Sequence, residues 1–387
     1  MQRMAARGDS PVVAAVLSVF GATVFVVARL VVVAHGDASV FIVVGSAHLS
    51  GSGLPRGITV IRGSGYDGQF YYRLALDPAR LARTAFGIRF DSLSRLERIG
   101  YPAIAWLVAG GRRSLIPDTL IVTNVVSLGA LGLGGGLLAR LSGRHALWGL
   151  TLAGYWGYLW SAGRDLTEIT AAAFLVLGLV AYRTNRWVLA GVLLLGAVLT
   201  KETAAYVVVI LAATRLIGWA LRRDRRPLVA ADMAWIISVL GFLAWQAVVR
   251  ADVGVIPLRQ SGQANLGLPF VGLVDGFRHY VSAFPSVASS LWMVELAVMV
   301  TLAVAAGTCL RRTSAPLHER VVWVAVVILA IATARGIWLG DVGFRSLDDL
   351  YLFSWIILLS SPRRLWPLAS LTAAVWMAVA VELVLYL

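Results

Sequence analysis

Residues 11–34 read PVVAAVLSVFGATVFVVARLVVVA, and this long apolar run follows a short basic N-terminus. About 20 apolar residues are enough to cross the hydrocarbon core of a bilayer as an α-helix. A cleavable signal peptide is the alternative, but its apolar segment is shorter and precedes a small-residue cleavage site. The run therefore predicts a retained membrane anchor.

The rest of the chain has the same character. Of its 387 residues, 59% are hydrophobic and 14% are charged, whereas soluble domains carry about 25% charged residues. Backbone groups in lipid must be hydrogen-bonded within their own segment, so the apolar runs are predicted to be helices. We expect an all-α polytopic membrane protein with about 11 transmembrane helices and no soluble domain. The predicted spans are 11–34, 116–139, 145–163, 167–184, 187–201, 203–220, 228–249, 287–309, 320–338, 347–361 and 365–386.

The distribution of charge predicts the orientation. A formal net charge of +14 can indicate nucleic-acid binding, but the long apolar runs argue against that partner and favour the lipid bilayer. Arginines gather in alternate loops, as at 222–226 and 311–312. The positive-inside rule then places the N-terminus in the cytoplasm and the C-terminus outside the plasma (inner) membrane. Acidic residues gather in the other loops, so we expect function on the outer, periplasmic face.

The first outer loop is predicted to run from 35 to 115. Its segment 98–111, RIGYPAIAWLVAGG, is too short to span and predicts an interfacial helix with Tyr101 and Trp106 as anchors. A second short helix, GQFYYRLALDP, ends at Pro78 and is expected to rest Phe70, Tyr71 and Leu74 on the membrane surface.

The candidate site begins in the same loop, in GSGYDGQFYYRLALDP at 63–78. Asp67 lies between Tyr66 and Gly68, where small neighbours would let a substrate approach its carboxylate. Asp77 precedes Pro78. A solvated turn is the alternative for Asp67, and for Asp77 a helix cap or a salt bridge to Arg73.

Two further polar clusters follow at predicted outer turns. SAGRDLTEIT, 161–170, contains Arg164, Asp165 and Glu168, for which helix capping is the alternative. LTKETAAY, 199–206, contains Glu202 and the only lysine of the chain, Lys201. A charged pair at the edge of the bilayer predicts a protein cavity, and a lysine that snorkels to the surface is the alternative.

Two clusters lie in the second half of the chain. GFRHYVSAF, 276–284, offers Arg278 and His279 to an anion, and GDVGFRSLDDLYLF, 340–353, holds Arg345 beside two aspartates. The glycine-rich tract GALGLGGGLL, 129–138, predicts close helix packing instead of chemistry.

In this order the motifs resemble those of the GT-C superfamily, the integral-membrane glycosyltransferases that use polyprenyl-phosphate-linked sugars. The resemblance covers residues 11–220. It consists of Tyr66-Asp67-Gly68 in the long loop, RIGYPAIAWL as the interfacial helix, the Arg164-Asp165 pair, and Thr200-Lys201-Glu202 at the end of a short span. Gly68 stands where the family has the second acid of a pair, the family's C-terminal periplasmic domain is missing, and 221–387 matches in hydropathy only.

The resemblance implies a GT-C-like catalytic module over 1–220, with outer loop 35–115, and variable transmembrane helices over 221–387. It implies a polyprenyl-phosphate-sugar donor and a glycan, glycolipid or protein hydroxyl as acceptor. Asp67 would be the general base of an inverting transfer. The implied donor-phosphate ligands are Lys201, Arg164, Arg278 and Arg345, and the implied supporting residues are Tyr66, Asp77, Asp165, Glu168, Glu202 and His279.

Glu202 and Asp165 would orient the cations. No cofactor is required, although Asp67 together with Asp77 could hold a divalent metal. A transporter or flippase of a lipid-linked or anionic substrate is the alternative function. Such a protein is expected to carry charged or broken helices near the middle of the bilayer in two matching halves, and no such halves are visible in the sequence.

Overall fold

The computed structural model describes residues 9–51, 53–221, 230–260, 265–340 and 342–385, and these are almost entirely helical. The predicted arginine cluster at 222–226 lies outside them. The helices are α1 Pro11–Val32, α2 Gly68–Leu76, α3 Gly100–Val108, α4 Ile116–Leu141, α5 Leu150–Ala153, α6 Gly157–Ala162, α7 Glu168–Arg183, α8 Trp187–Thr200, α9 Ala204–Ala220, α10 Met233–Val253, α11 Val271–Ser282, α12 Val287–Cys309, α13 Leu317–Ile331, α14 Arg335–Gly340, α15 Asp348–Leu359 and α16 Trp366–Leu385. Two-residue strands β1 Val44–Gly45 and β2 Val60–Ile61 pair in parallel, and β3 Thr84–Ala85 pairs antiparallel with β4 Ile88–Arg89.

Five of these helices, α1, α4, α10, α12 and α16, are long and apolar enough to cross a membrane. Their outward side chains are aliphatic and aromatic, as at Val12, Phe20 and Val31 of α1, which are more than half exposed. The described chain is therefore that of a helical membrane protein. The finer expectation of about 11 spans stays a prediction, because the remaining helices are shorter.

Three of the short helices, α5, α6 and α15, lie inside the bundle. The expectation of one continuous helix over 145–163 is wrong, because α5 and α6 are separated by a break at Gly154, Tyr155 and Trp156. Helix α15 has 12 residues, a length of about 18 Å, and every residue from Leu350 to Ser360 is buried. A helix that is apolar on all sides packs within protein, so these segments form the core around which the longer helices pack.

The glycine-rich tract does provide close packing, as predicted. A Cβ on Gly132 would lie 2.3 Å from the hydroxyl oxygen of Ser18 in α1, and one on Gly135 would lie 2.6 Å from the carbonyl oxygen of Gly149. Small residues let helix backbones approach each other at such distances. Helix α4 is therefore pressed against α1 on one side and against the turn before α5 on the other.

The loop from 35 to 115 folds around α2. Every residue of α2 is buried, and Phe70, Tyr71 and Leu74 are at most 2% exposed. The expectation that they rest on the membrane surface is therefore wrong: residues of the loop itself cover this helix. Its polar residues are bound there, since the amide of Gln69 bonds to the loop backbone and the guanidinium of Arg73 stacks 4.0 Å above the ring of Phe90.

Helix α3 agrees with an interfacial helix at one end only. Trp106, Leu107 and Val108 are exposed at its C-terminal end, as expected for a surface in contact with lipid headgroups. Tyr101 is not an anchor, because it is fully buried and its hydroxyl donates a hydrogen bond to the carbonyl oxygen of Leu120 at 3.0 Å.

The contact of α4 with the turn before α5 predicts a stability difference between two glycines. Gly135→Ala should lower the free energy of unfolding by about 1–3 kcal/mol, because the new methyl group meets backbone atoms that cannot rotate away. Gly21→Ala, in α1, has no atom within 4 Å of its new Cβ and is the matched control. Thermal unfolding of both variants in detergent measures the difference, and equal melting temperatures would contradict the packing.

Candidate functional site

Glycines set the position of Asp67. Gly65 has a φ of +65°, and a Cβ there would lie 2.4 Å from the backbone nitrogen of Gly45. A Cβ on Gly68 would lie 2.3 Å from the carbonyl oxygen of Arg164. The sequence predicted that these glycines leave room for a substrate. In the structure protein backbone fills the space beside both glycines. They let the loop touch β1 and the turn before α7, and this contact brings Asp67 beside the second predicted cluster.

Two arginines share the carboxylate of Asp67. Its Oδ1 lies 2.9 Å from Nη2 of Arg95, and its Oδ2 lies 3.4 Å from Nη2 of Arg345. Burial by itself would raise the pKa of Asp67, but Arg95, Arg345 and Arg98 outweigh burial and lower the pKa below its ordinary value. Asp67 is therefore ionised at neutral pH, and it is a weak base as long as both arginines stay in contact.

Arg345 joins three segments of the chain. Besides Asp67 it donates to Oε1 of Glu168 at 2.7 Å and to the hydroxyl of Tyr66 at 3.0 Å. The ring of Tyr66 lies between two guanidinium groups, 5.0 Å from that of Arg345 and 4.8 Å from that of Arg164. The structure thus brings together five residues that the sequence proposed from three separate clusters.

A second ion pair lies at the base of the long loop. Arg98 binds Glu202 through two hydrogen bonds of 2.7 and 2.6 Å and donates a third to the hydroxyl of Tyr71 at 2.7 Å. Burial favours the neutral acid, but Arg98 outweighs it and lowers the pKa of Glu202 to about 2. The expectation that Glu202 orients Lys201 is wrong, because both of its oxygens face Arg98.

Lys201 has a different partner. Its Nζ lies 2.7 Å from Oδ1 of Asp348, and the two side chains are only 8% and 2% exposed. The neighbouring Thr203 hydroxyl donates to Asp349 at 3.3 Å. The lysine therefore faces a protein interior, as its position predicted, and the alternative of a snorkelling surface lysine does not apply.

Asp165 does not orient a cation. Its side chain is fully buried, its φ is +50°, and neither carboxylate oxygen has a hydrogen-bond partner among the described residues. Burial raises the pKa of Asp165 well above its ordinary value. The predicted role of Asp165 is thus wrong in this state, and its carboxyl group is one that can hold a proton.

Three predicted residues stand apart. Asp77 caps the turn after α2 and lies 3.8 Å from Arg113, while the guanidinium of Arg73 stacks on Phe90. It is separated from Asp67 by the nine residues of α2, roughly 15 Å of helix axis, so these two carboxylates cannot share a metal ion. Arg278 and His279 are exposed on α11, where the ring of His279 lies against that of Tyr280 and away from the other predicted residues.

Sequence reasoning missed Arg95 and Arg98. They lie three residues apart in DSLSRLERIG, 91–100, and Arg98 is the first residue of the segment predicted to be interfacial. Arg80 and Arg83 have the same i, i+3 spacing in the same loop, so spacing alone does not mark the two arginines of the site. Asp348 stood in a recognised cluster, but its partner Lys201 is 147 residues away, and no local pattern links the two.

The assembled site is a set of paired charges, which we call the charge cluster. Its members are the cations Arg95, Arg98, Lys201 and Arg345 and the carboxylates Asp67, Glu168, Glu202 and Asp348. Arg164 lies against it through Tyr66. Because each of the four cations already contacts a carboxylate, an incoming anion must exchange places with one of these carboxylates. Among the described residues no group of three or more acids, histidines or cysteines has the arrangement of metal ligands.

The pair of Arg98 and Glu202 predicts a stability cycle. Glu202→Gln should lower the free energy of unfolding by about 3 kcal/mol, because it leaves a largely buried guanidinium without its counter-charge. Arg98→Gln should cost a similar amount, and the double variant should cost clearly less than the two together. Asp77→Asn, in an exposed pair with Arg113, is the control and should change stability by less than about 1 kcal/mol. Additive losses in detergent unfolding would show that the pair is not coupled.

Comparison of the chain with protein-family models, with curated proteins and with solved structures gives no match in any of the three. The geometry and the charges of the site therefore carry the functional argument.

Proposed function

We propose that the protein is a membrane glycosyltransferase of the GT-C type, which moves a sugar from a polyprenyl-phosphate donor to a hydroxyl of an envelope glycan, lipid or protein. The observation that carries the proposal is the carboxylate of Asp67 shared by Arg95 and Arg345. A base for the acceptor hydroxyl and cations for the donor phosphate are what this reaction requires. Here both kinds of group are in contact within one cluster.

The reaction needs one proton transfer and one bond exchange. The acceptor oxygen attacks C1 of the sugar, its proton passes to Asp67, and the bond from C1 to the phosphate oxygen breaks. The electron pair of that bond leaves with polyprenyl phosphate. Attack from the side opposite the phosphate inverts C1.

Arg345 and Arg95 couple donor binding to basicity. In the free protein these two arginines lower the pKa of Asp67. A phosphate that binds the same guanidinium groups weakens their contact with the carboxylate, so the pKa of Asp67 rises towards its ordinary value. The base therefore becomes effective only when the donor is in place, which disfavours unproductive proton transfer.

Positive charge stabilises the leaving group. Lys201 lies in the interior of the charge cluster, and Arg164 contacts the charge cluster through the ring of Tyr66. Glu168 accepts from Arg345 and from the hydroxyl of Ser161, so it positions the arginine instead of reacting. Arg278 stays a prediction as a donor ligand, and His279 stays a prediction as a supporting residue.

The topology belongs to the same proposal. About 11 spans, a cytoplasmic N-terminus and a charge cluster on the outer face of the plasma membrane would place the cluster where a lipid-linked phosphate lies. The structure supports the idea that the acidic loops lie on the same side of the protein, since Asp67, Glu168, Glu202 and Asp348 lie in one cluster. The C-terminal half supplies Arg345 and Asp348, so a catalytic module would extend beyond residue 220.

Asp67→Asn tests the base. In nanodiscs supplied with polyprenyl-phosphate sugars, we expect the rate of transfer to fall by about 10²–10⁴-fold. Asp91→Asn is the matched control, because Asp91 also binds Arg95, at 2.9 Å, but has no role in the reaction. Wild-type transfer by Asp67→Asn, or an equal loss in both variants, would remove Asp67 as the base.

The Lys201 pair tests the phosphate site. Replacing both partners, Lys201→Gln with Asp348→Asn, keeps a hydrogen bond and avoids an unpaired buried charge. We expect the melting temperature to change little and the affinity for the lipid phosphate to fall by about 10-fold or more. The double variant Arg183→Gln with Glu319→Gln removes a comparable pair outside the charge cluster and is the control. Unchanged affinity in the Lys201 variant would exclude this residue from the phosphate site.

A further inference from the structure

Helix α11, which contributes no member to the charge cluster, has three distinct faces. At 3.6 residues per turn, Val274, Phe277 and Val281 lie on one stripe of the helix. Gly272 and Gly276 lie on a second face, and the polar residues lie on the third. Each face has its own environment.

The glycine face is packed against the protein. A Cβ on Gly272 would lie 2.5 Å from the carbonyl oxygen of Thr333, and one on Gly276 would lie 3.1 Å from the side chain of Trp338. Tyr280, next to this face, stacks on Trp292 at 4.5 Å. The orientation of α11 on the bundle is therefore fixed by close contacts, and rotation of the helix cannot bury its apolar stripe.

The apolar stripe is uncovered. Val274, Phe277 and Val281 are 41%, 49% and 44% exposed. Phe270 before the helix and Phe284 after it are also more than half exposed. A contiguous exposed patch of this kind marks a surface that binds something apolar.

The polar face limits what that partner is. Asp275 pairs with Arg335 at 3.7 Å, and Arg278 and His279 are exposed beside the stripe. With 12 residues, α11 is about 18 Å long, too short and too polar to cross a bilayer. An amphipathic helix of this kind fits a membrane surface. Its apolar stripe matches the acyl chains below the surface, and the basic residue beside the stripe matches the headgroup phosphates.

The neighbouring helix identifies the source of the lipid. Helix α12 begins five residues after α11, is long and apolar enough to span a membrane, and exposes Val287 and Val294. Phe284, which is 60% exposed, lies between the stripe and this aliphatic surface along the chain. From this continuity we infer that α11 is a bilayer-docking helix, which lies in the membrane plane with Val274, Phe277 and Val281 among the acyl chains.

Docking of α11 also fixes the depth of the charge cluster relative to the bilayer surface. Tyr280 stacks on Trp292, the ring of Trp292 lies 5.3 Å from that of Phe344, and Phe344 directly precedes Arg345. A helix held at headgroup level thus lies a few side chains from the guanidinium that binds Asp67. The inference does not depend on the proposed reaction, because it concerns only where the bilayer meets the chain.

Site-directed fluorescence tests the inference without turnover. In a Cys309→Ser background, which removes the only cysteine, Phe277→Cys and His279→Cys are each labelled with bimane in the full chain. The proteins are placed in phosphatidylcholine–phosphatidylglycerol nanodiscs with lipids that carry a doxyl group at carbon 5 or carbon 12. Phe277→Cys should be quenched at least twofold more by 5-doxyl lipid than His279→Cys, and at least threefold less by aqueous iodide.

Each other outcome overturns the inference. Equal iodide quenching at both positions would place the stripe in water. Protection of Phe277→Cys from both iodide and doxyl lipid would indicate a protein partner, such as a second copy of the chain. Stronger quenching by 12-doxyl than by 5-doxyl lipid would place the helix too deep to lie at the interface. Both variants change exposed side chains, so the fold is expected to persist, and a melting temperature within a few degrees of the parent checks this.

Discussion

The cost of burying charge beside a membrane is the constraint on which this structure depends. A buried ion without a counter-ion is strongly destabilising, and breaking one buried pair costs several kcal/mol. Arg345 meets the constraint by binding Asp67 and Glu168 together, at 3.4 and 2.7 Å. Because these partners come from the long loop, the start of α7 and the segment before α15, the pairing of charges fixes how three distant parts of the chain assemble.

Other buried charges follow the same rule away from the charge cluster. Arg183 binds Glu319 between α7 and α13, and Arg215 binds Asp232 at 3.4 Å between α9 and α10. These pairs tie neighbouring helices together, and His318 lies 3.8 Å from Glu319. In the charge cluster the partners are shared, since Asp67 and Arg345 each make more than one ionic contact. Shared contacts can be exchanged for a ligand, whereas an isolated pair must be broken.

The sequence predicts what depends on local composition. The run 287–309 coincides with α12, the glycine tract gives close packing, and Lys201 faces a protein interior. Prediction from the sequence fails where two environments produce the same pattern. Helix α2 has an amphipathic sequence that fits a cover of lipid as well as a cover formed by its own loop. The sequence also cannot choose partners, because Glu202 is adjacent to Lys201 in sequence yet binds Arg98, 104 residues away. Such pairings are decided by the tertiary arrangement, which local spacing does not encode.

Charge balance together with exposure favours Asp67 over Glu168 and Asp348 as the base of the proposed transfer. A donor phosphodiester carries one negative charge, and the departing polyprenyl phosphate gains a second as its bond to C1 breaks. In the proposed transfer, uptake of the acceptor proton by Asp67 would remove one negative charge at the same moment, so the total charge of the site would be unchanged and its arginines would become free for the phosphate. Glu168 and Asp348 are 3% and 2% exposed, against 18% for Asp67. Releasing either of those two from its cation would strand a buried charge, whereas Asp67 can reach an acceptor hydroxyl from its position at the edge of the charge cluster.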